Sequence, residues 1–182
     1  QPGLYRQVLV LDFKSLYPSI IRTFKIDPFG LAEGLKEGAE EADLIPGFNH
    51  AIFSRSKTIL PELIEFLWQA RDKAKLSNNA ALSQAIKIIM NSFYGVLGSN
   101  VCRFYDQRLS SSITLRGHEI LIKTRDCIEK EFGFKVIYGD TDSVFVWLGD
   151  SFPEEDADAK GHELAVFLND WWAENLQQRF QL

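Results

Sequence analysis

The sequence predicts a fold that mixes β-strands and α-helices in separate blocks, and three stretches predict it. Residues 134–138 and 143–148 are apolar, β-prone runs joined through Tyr138-Gly139-Asp140-Thr141-Asp142-Ser143. Two such strands with so short a connection read as a tight antiparallel hairpin. Residues 60–76 and 80–97 carry apolar residues at helical spacing around Ser77-Asn78-Asn79, which reads as two antiparallel helices with a short turn. Residues 8–11 are a continuous apolar run that ends at Asp12, as expected of a strand buried on both faces.

Composition sets the bounds. The 182 residues suffice for one domain, or one with an inserted subdomain, and the 46% hydrophobic content supports a core. No apolar run is long enough to span a bilayer, and there is no signal-like start. Cys102 and Cys127 are the two cysteines; they make neither a disulfide framework nor a metal-site spacing, so a reducing, cytoplasmic setting is expected. The net charge of −5 argues against a nucleic-acid partner, but the average conceals a basic stretch. Between residues 55 and 87, Arg55, Lys57, Arg71, Lys73, Lys75 and Lys87 outnumber Glu62, Glu65 and Asp72. The chain opens on Gln1-Pro2-Gly3 without Met and stops at Leu182 directly after a helical pattern, so a piece of a longer protein is expected.

The hairpin tip carries the chemistry. Gly139 relaxes the backbone where the turn opens. Asp140 and Asp142 flank Thr141, and residues two apart on a strand share a face. Two carboxylates at like-charge distance are costly without a cation, and hard oxygens of this kind suit Mg²⁺ held together with substrate phosphates. The same residues are also ordinary solvated turn formers; a partner carboxylate elsewhere would favour the metal. Asp12, at the end of its strand, is either that partner or the cap of the short helix that follows. Pro18 fits just inside that helix.

Residues 27–57, with Pro28, Gly30, Gly34, Gly38, Pro46 and Gly47 among acids, read as a loop-like connection on the surface. In the helix at 60–76, Leu60, Leu63, Ile64, Leu67, Ala70 and Ala74 form one stripe. Arg71 and Lys75 fall within that stripe, which leaves either snorkelling stems or an anionic ligand at the helix end. The helix at 80–97 has a core stripe of Leu82, Ala85, Ile86, Ile89, Met90, Phe93 and Leu97, with Lys87, Asn91 and Tyr94 in a polar stripe beside it. Arg71, Lys75 and Lys87 could converge on a polyphosphate, for which a guanidinium fork and ammonium charges are suited. Residues 98–109 look irregular; residues 110–132 form a helix closed by Gly133, with Gly117 inside it; Phe152-Pro153 breaks the chain; residues 156–180 form a last amphipathic helix.

Three motifs, in order, resemble those of the family-B DNA polymerases: Asp12 to Ile21 (DFKSLYPSII), Lys87 to Gly95 (KIIMNSFYG) and Tyr138 to Ser143 (YGDTDS). The stretch from Arg103 to Gly117 and the wording DFKSLYPSIIRTF are most similar to bacterial members. The resemblance implies an α+β fold: a polymerase palm, an antiparallel sheet with helices on one face, interrupted by an antiparallel helical fingers hairpin. It divides the chain into palm (1–35), a surface insertion (36–56), fingers (57–103) and palm again (104–182). The last palm strand, the thumb and any exonuclease domain would lie outside.

By the same resemblance, a primer 3′-hydroxyl attacks the α-phosphorus of a dNTP and pyrophosphate leaves. Asp12 and Asp142 would hold two Mg²⁺ ions (Mn²⁺ as a substitute), the Phe13 carbonyl would complete one site, and Asp140 would assist. Ser15 and Leu16 through their amides, with Arg71, Lys75, Lys87 and Asn91, would bind the triphosphate. Tyr17 would exclude a ribose 2′-hydroxyl, although plain packing beside Pro18 is the other reading. Tyr94, Gly95 and Thr141 would lie near the nascent pair. The implied partners are primer-template DNA and dNTP, with a sliding clamp reached through other parts, no membrane, and a cytoplasmic location at the nucleoid. A catalytically silent scaffold and a nucleotide-sugar transferase, whose Asp-x-Asp also holds a metal, are the competing classes.

Overall fold

The computed structural model describes residues 3–182; Gln1 and Pro2, at the start of the first expected palm segment, lie outside the described residues. In chain order the elements are β1 (Val8–Asp12), α1 (Leu16–Thr23), α2 (Pro28–Gly34), a 3₁₀ turn at Glu41–Asp43, β2 (Leu44–Pro46), β3 (Ile52–Ser54), α3 (Leu60–Leu76), α4 (Ala80–Leu97), α5 (Gln107–Phe132), β4 (Lys135–Asp140), β5 (Ser143–Trp147) and α6 (Glu154–Phe180). They divide into two compact units. One combines the chain up to Lys14 with Gly117–Leu182; the other is Ser15–Arg116.

The first unit is built on an antiparallel sheet of order β1-β5-β4. Alternation along β5 sends Val144 and Val146 into a core with Cys127 and Ile128 of α5 and Leu168 of α6, so both helices cover one face. Burying each of these valines stabilises the unit by roughly 1.5–3 kcal/mol. The opposite face carries Phe145, which pairs with Val10 and Tyr138. Val10 is 56% exposed. The expectation that β1 is buried on both faces is therefore corrected: β1 is an edge strand with helices on one side only, and continuous hydrophobicity does not by itself specify two covered faces.

Two local features of the hairpin also depart from the sequence reading. Gly139 does not open the turn; it lies within β4 opposite Val144. The left-handed residue is Thr141, at φ 37°, and its hydroxyl donates to Asp140 Oδ1 at 3.1 Å. Asp142 thus belongs to the turn, and strand alternation with Asp140 does not apply to it. A register shift between Val136 and Tyr138 then moves Tyr138 to the face opposite Val136, as an extra residue in one strand must.

Trp172 Nε1 donates to the Thr124 hydroxyl at 2.9 Å and ties α6 to α5. Gly133, at φ 70°, ends α5 as expected.

The second unit has its own core, with Ile20 and Ile21 of α1, Phe24 directly after it, Ile45, Phe53, Ile64, Met90, Leu109 and Ile113 all nearly inaccessible. Residues 27–57 are not a plain surface loop. They contain α2 and the antiparallel pair β2–β3, with Ile45 and Phe53 fully buried. Three-residue strands are too short to show periodicity, and Gly34, which looked like a loop residue, serves packing instead: a Cβ there would lie 2.8 Å from the Ile52 carbonyl carbon. Asp27, 1% exposed, caps α2 by accepting from the Gly30 amide at 2.6 Å and accepts from the Leu60 amide at the start of α3 at 2.8 Å. Arg116 is likewise buried; it donates to the Pro46 carbonyl at 2.9 Å and its guanidinium lies over the rings of Phe24 and Phe48.

Helices α3 and α4 form the predicted hairpin, but each buries a narrower stripe than expected. Trp68 is buried in α3 where Leu63 is 41% exposed, and α4 buries Ile86, Met90 and Leu97 while leaving Leu82 and Ile89 nearly half exposed. A two-helix hairpin has few neighbours to cover a broad apolar face.

Candidate active site

In the first unit the sheet register brings the early and late acidic residues to the same end. Asp12, the last residue of β1, pairs with Ser143, the first of β5, and Asp140 pairs with Ser143 from the other side. Directly opposed residues of antiparallel strands share a face, so Asp12, Ser143 and Asp140 form one row across three strands, on the face that the helices leave open. Strand spacing of about 4.7–4.9 Å puts the backbones of Asp12 and Asp140 roughly 9–10 Å apart. Asp142 sits closer to Asp12: the Phe13 amide donates to the Asp142 carbonyl at 2.7 Å, one residue beyond the ladder. The Asp142 amide in turn donates to the Asp140 carbonyl, which also accepts from the Ser143 hydroxyl at 3.3 Å. This mesh of backbone bonds holds a turn that three acidic side chains would otherwise push open.

Asp12 is exposed, and among the described residues its side chain has no hydrogen-bond or ion-pair partner. Ser15, not Asp12, caps α1, and it does so without a side-chain bond, which removes the cap reading of Asp12. Among the described residues no three His, Cys, Asp or Glu side chains gather at one point. What the turn offers a cation is the carboxylates of Asp12 and Asp142 on backbone segments joined by the Phe13 amide. Hard oxygens of this number fit a magnesium ion that takes its remaining ligands from water or phosphate.

The second unit holds the other residues singled out by sequence. Ser15 has a left-handed backbone, φ 51°, and Leu16 behind it is buried. Arg71 of α3 donates from Nη1 to the Ser15 hydroxyl at 3.3 Å, while its Nε is buried without a hydrogen-bond partner. Lys75, one turn further along α3, is exposed, as are Lys87 and Asn91 of α4. The Tyr17 and Tyr94 rings meet at 4.7 Å between centroids, tilted by 50°. A side chain at Gly95 would meet nothing within 4 Å, and Thr141, in the first unit, is exposed.

Sequence reasoning passed over the contacts that hold α1 to α3. Arg22 donates to Glu65 Oε2 at 2.7 Å and its guanidinium lies 4.8 Å from the Trp68 ring centroid. The Gln69 side chain and then Arg22 hold the Glu65 carboxyl below its usual range. No local signal marks a pair 43 residues apart; only the burial of Trp68 beside it explains the choice of partner.

Comparison with known proteins adds to this geometry. The family model described as DNA polymerase family B matches residues 1–180. The chain is 56% identical over 179 residues to DNA polymerase II of Escherichia coli (strain K12), covering 98% of this chain and 23% of that protein. It is 35% identical over 178 residues to a DNA polymerase of Thermococcus gorgonarius, covering 92% of this chain and 22% of that one. Among solved structures, the family B DNA polymerase of Pyrobaculum calidifontis superposes with a TM-score of 0.67 at 28% identity, over 83% of this chain and 21% of that chain. The chain thus spans less than a quarter of the length of these relatives.

Proposed function

Since the chain belongs to DNA polymerase family B, we propose that it is the palm and fingers part of a template-directed DNA polymerase. The palm would comprise residues 1–35 and 104–182, with an insertion at 36–56 that buries Ile45 and Phe53 and the fingers at 57–103. In this reading Asp12 and Asp142 hold magnesium, the Phe13 carbonyl contributes a further oxygen, and Asp140 assists from the next strand. When bound, the metal supplies Lewis-acid activation of a primer 3′-hydroxyl and neutralises charge on the departing pyrophosphate. Arg71, Lys75, Lys87 and Asn91, with the Ser15 and Leu16 amides, orient the triphosphate of a dNTP. Tyr17 supports the sugar and rejects a 2′-hydroxyl. Tyr94, Gly95 and Thr141 border the new base pair. Primer-template DNA runs over the open sheet face, and a clamp is reached through other parts of the intact protein. A chain of this extent is inactive alone, because most phosphate contacts to duplex come from elsewhere.

The observation that carries the reading is the 2.7 Å bond from the Phe13 amide to the Asp142 carbonyl. It joins two acidic stretches more than a hundred residues apart in sequence, with one carboxylate on each side. Strand alternation of Asp140 and Asp142 does not support it, because Asp142 lies in the turn. In the full-length protein, Asp142→Ala is expected to lower primer extension by on the order of 10³-fold, since metal charge stabilisation is worth several kcal/mol and each 1.4 kcal/mol is tenfold. The melting temperature should hold, and Asp140→Ala should cost less. Undiminished extension by Asp142→Ala would reject the assignment.

A further inference from the structure

The contact between Ser15 and Arg71 is odd on two counts. Arg71 is a charged side chain with a buried Nε that has no partner, and the hydrogen bond that Nη1 donates, at 3.3 Å, is a long one to a neutral hydroxyl. A buried guanidinium N–H without a partner is unfavourable, and an anion close to the group strengthens its remaining bonds. Ser15 for its part sits at φ 51°, a conformation that a non-glycine residue adopts at a cost and that turns its hydroxyl toward α3. Such strain persists where the surroundings over-determine it. Two turns along α1, Arg22 is bonded to Glu65 and lies over Trp68, so α1 and α3 are fastened at both ends of one seam.

We propose that Ser15 is a positioning residue for Arg71. Its hydroxyl holds the guanidinium over the start of α1 before nucleotide arrives and so removes part of the ordering cost of binding a triphosphate. The inference rests on the reading of Arg71 as a triphosphate ligand and deepens it. Arg71 keeps the two N–H of Nη2 and the second N–H of Nη1 for phosphate oxygens while the first N–H of Nη1 stays on Ser15. An anionic oxygen makes a shorter and stronger bond than the hydroxyl, so the holding contact guides the cation without competing for it. The strained backbone is the device that aims the hydroxyl, and the Arg22–Glu65 pair keeps α3 within its reach.

The test is a double-mutant cycle in the full-length protein with Ser15→Ala, Arg71→Ala and the double variant. The readouts are the KM and kcat for one templated dNTP and the calorimetric affinity for inorganic tripolyphosphate. Ser15→Ala is expected to raise KM and weaken tripolyphosphate binding about two- to tenfold, the range of one neutral hydrogen bond, with kcat little changed. In the Arg71→Ala background, loss of the hydroxyl should have no further effect. Ser15→Gly, which favours the left-handed backbone, is the variant to use if the alanine form does not fold, and the same effect is expected. Unchanged affinity in Ser15→Ala, or an equal loss with and without Arg71, would overturn the proposal while leaving Arg71 as a phosphate ligand. Arg71→Ala without effect on either readout would overturn both.

Discussion

Tyr17 shows how much one aromatic ring depends on its neighbour. It is half-buried on α1, and the Tyr94 ring lies against it at 4.7 Å. A tilted aromatic pair at this distance stabilises a fixed ring position beyond simple area burial, and a fixed ring is what a steric filter requires. The expected result of Tyr17→Ala in the full-length protein, on the proposed function, is a rise of about ten- to hundredfold in ribonucleotide insertion relative to deoxynucleotide insertion, the scale at which small steric differences discriminate substrates. An unchanged ratio in single-nucleotide extension would leave Tyr17 as a packing residue. Among the acidic residues, Asp12 and Asp142 were legible as candidates because a motif surrounds each. Their adjacency was expected from the resemblance alone, since it depends on a ladder between residues 12 and 143 that no local pattern encodes.

Among the elements, the short ones between α1 and α3 carry more of the architecture than their sequence advertises. Asp27 serves two helices at once, one oxygen on the Gly30 amide and the other on the Leu60 amide. Its replacement by Ala removes a helix cap, which costs about 1 kcal/mol, and leaves a buried amide without a partner, which costs about 1–3 kcal/mol. A loss of about 2–4 kcal/mol in urea unfolding is expected, and a loss under 1 kcal/mol would mean that water replaces the carboxylate. The long helices were readable because 17 and 18 residues give several turns of periodicity. The three-residue strands β2 and β3 were not, and neither was the shift at Ile137 that turns Tyr138 and Asp140 to the open face.

For the molecule as a whole, the balance of charge matters more through particular carboxylates than through the net value of −5. Bonds from Ser54 and Ser56 hold Asp43 below its ordinary range, and Arg108 does the same for Asp106; Glu65 has been described above. Each folded-state pKa lies below its unfolded value, so each group contributes stability that is complete above the unfolded pKa and is lost as pH falls through the lowered one. The urea midpoint should therefore fall as pH is lowered from about 5 to about 3. Asp43→Asn should reduce that fall, and an identical acid limb in the variant would show that Asp43 is not among its causes.

By itself the sequence determined the family, the two hairpins, the long helices and the identity of the acidic and basic residues, because each is written in contiguous periodicity or in a motif a few residues long. Tertiary structure alone decided the register that sets Asp12 opposite Ser143, which face of the sheet stays open, and that a serine with a left-handed backbone contacts an arginine 56 positions away. The reason is physical: periodicity records which side of an element avoids water, whereas strand register, backbone strain and the partner of a buried charge are settled only when distant segments compete for the same space.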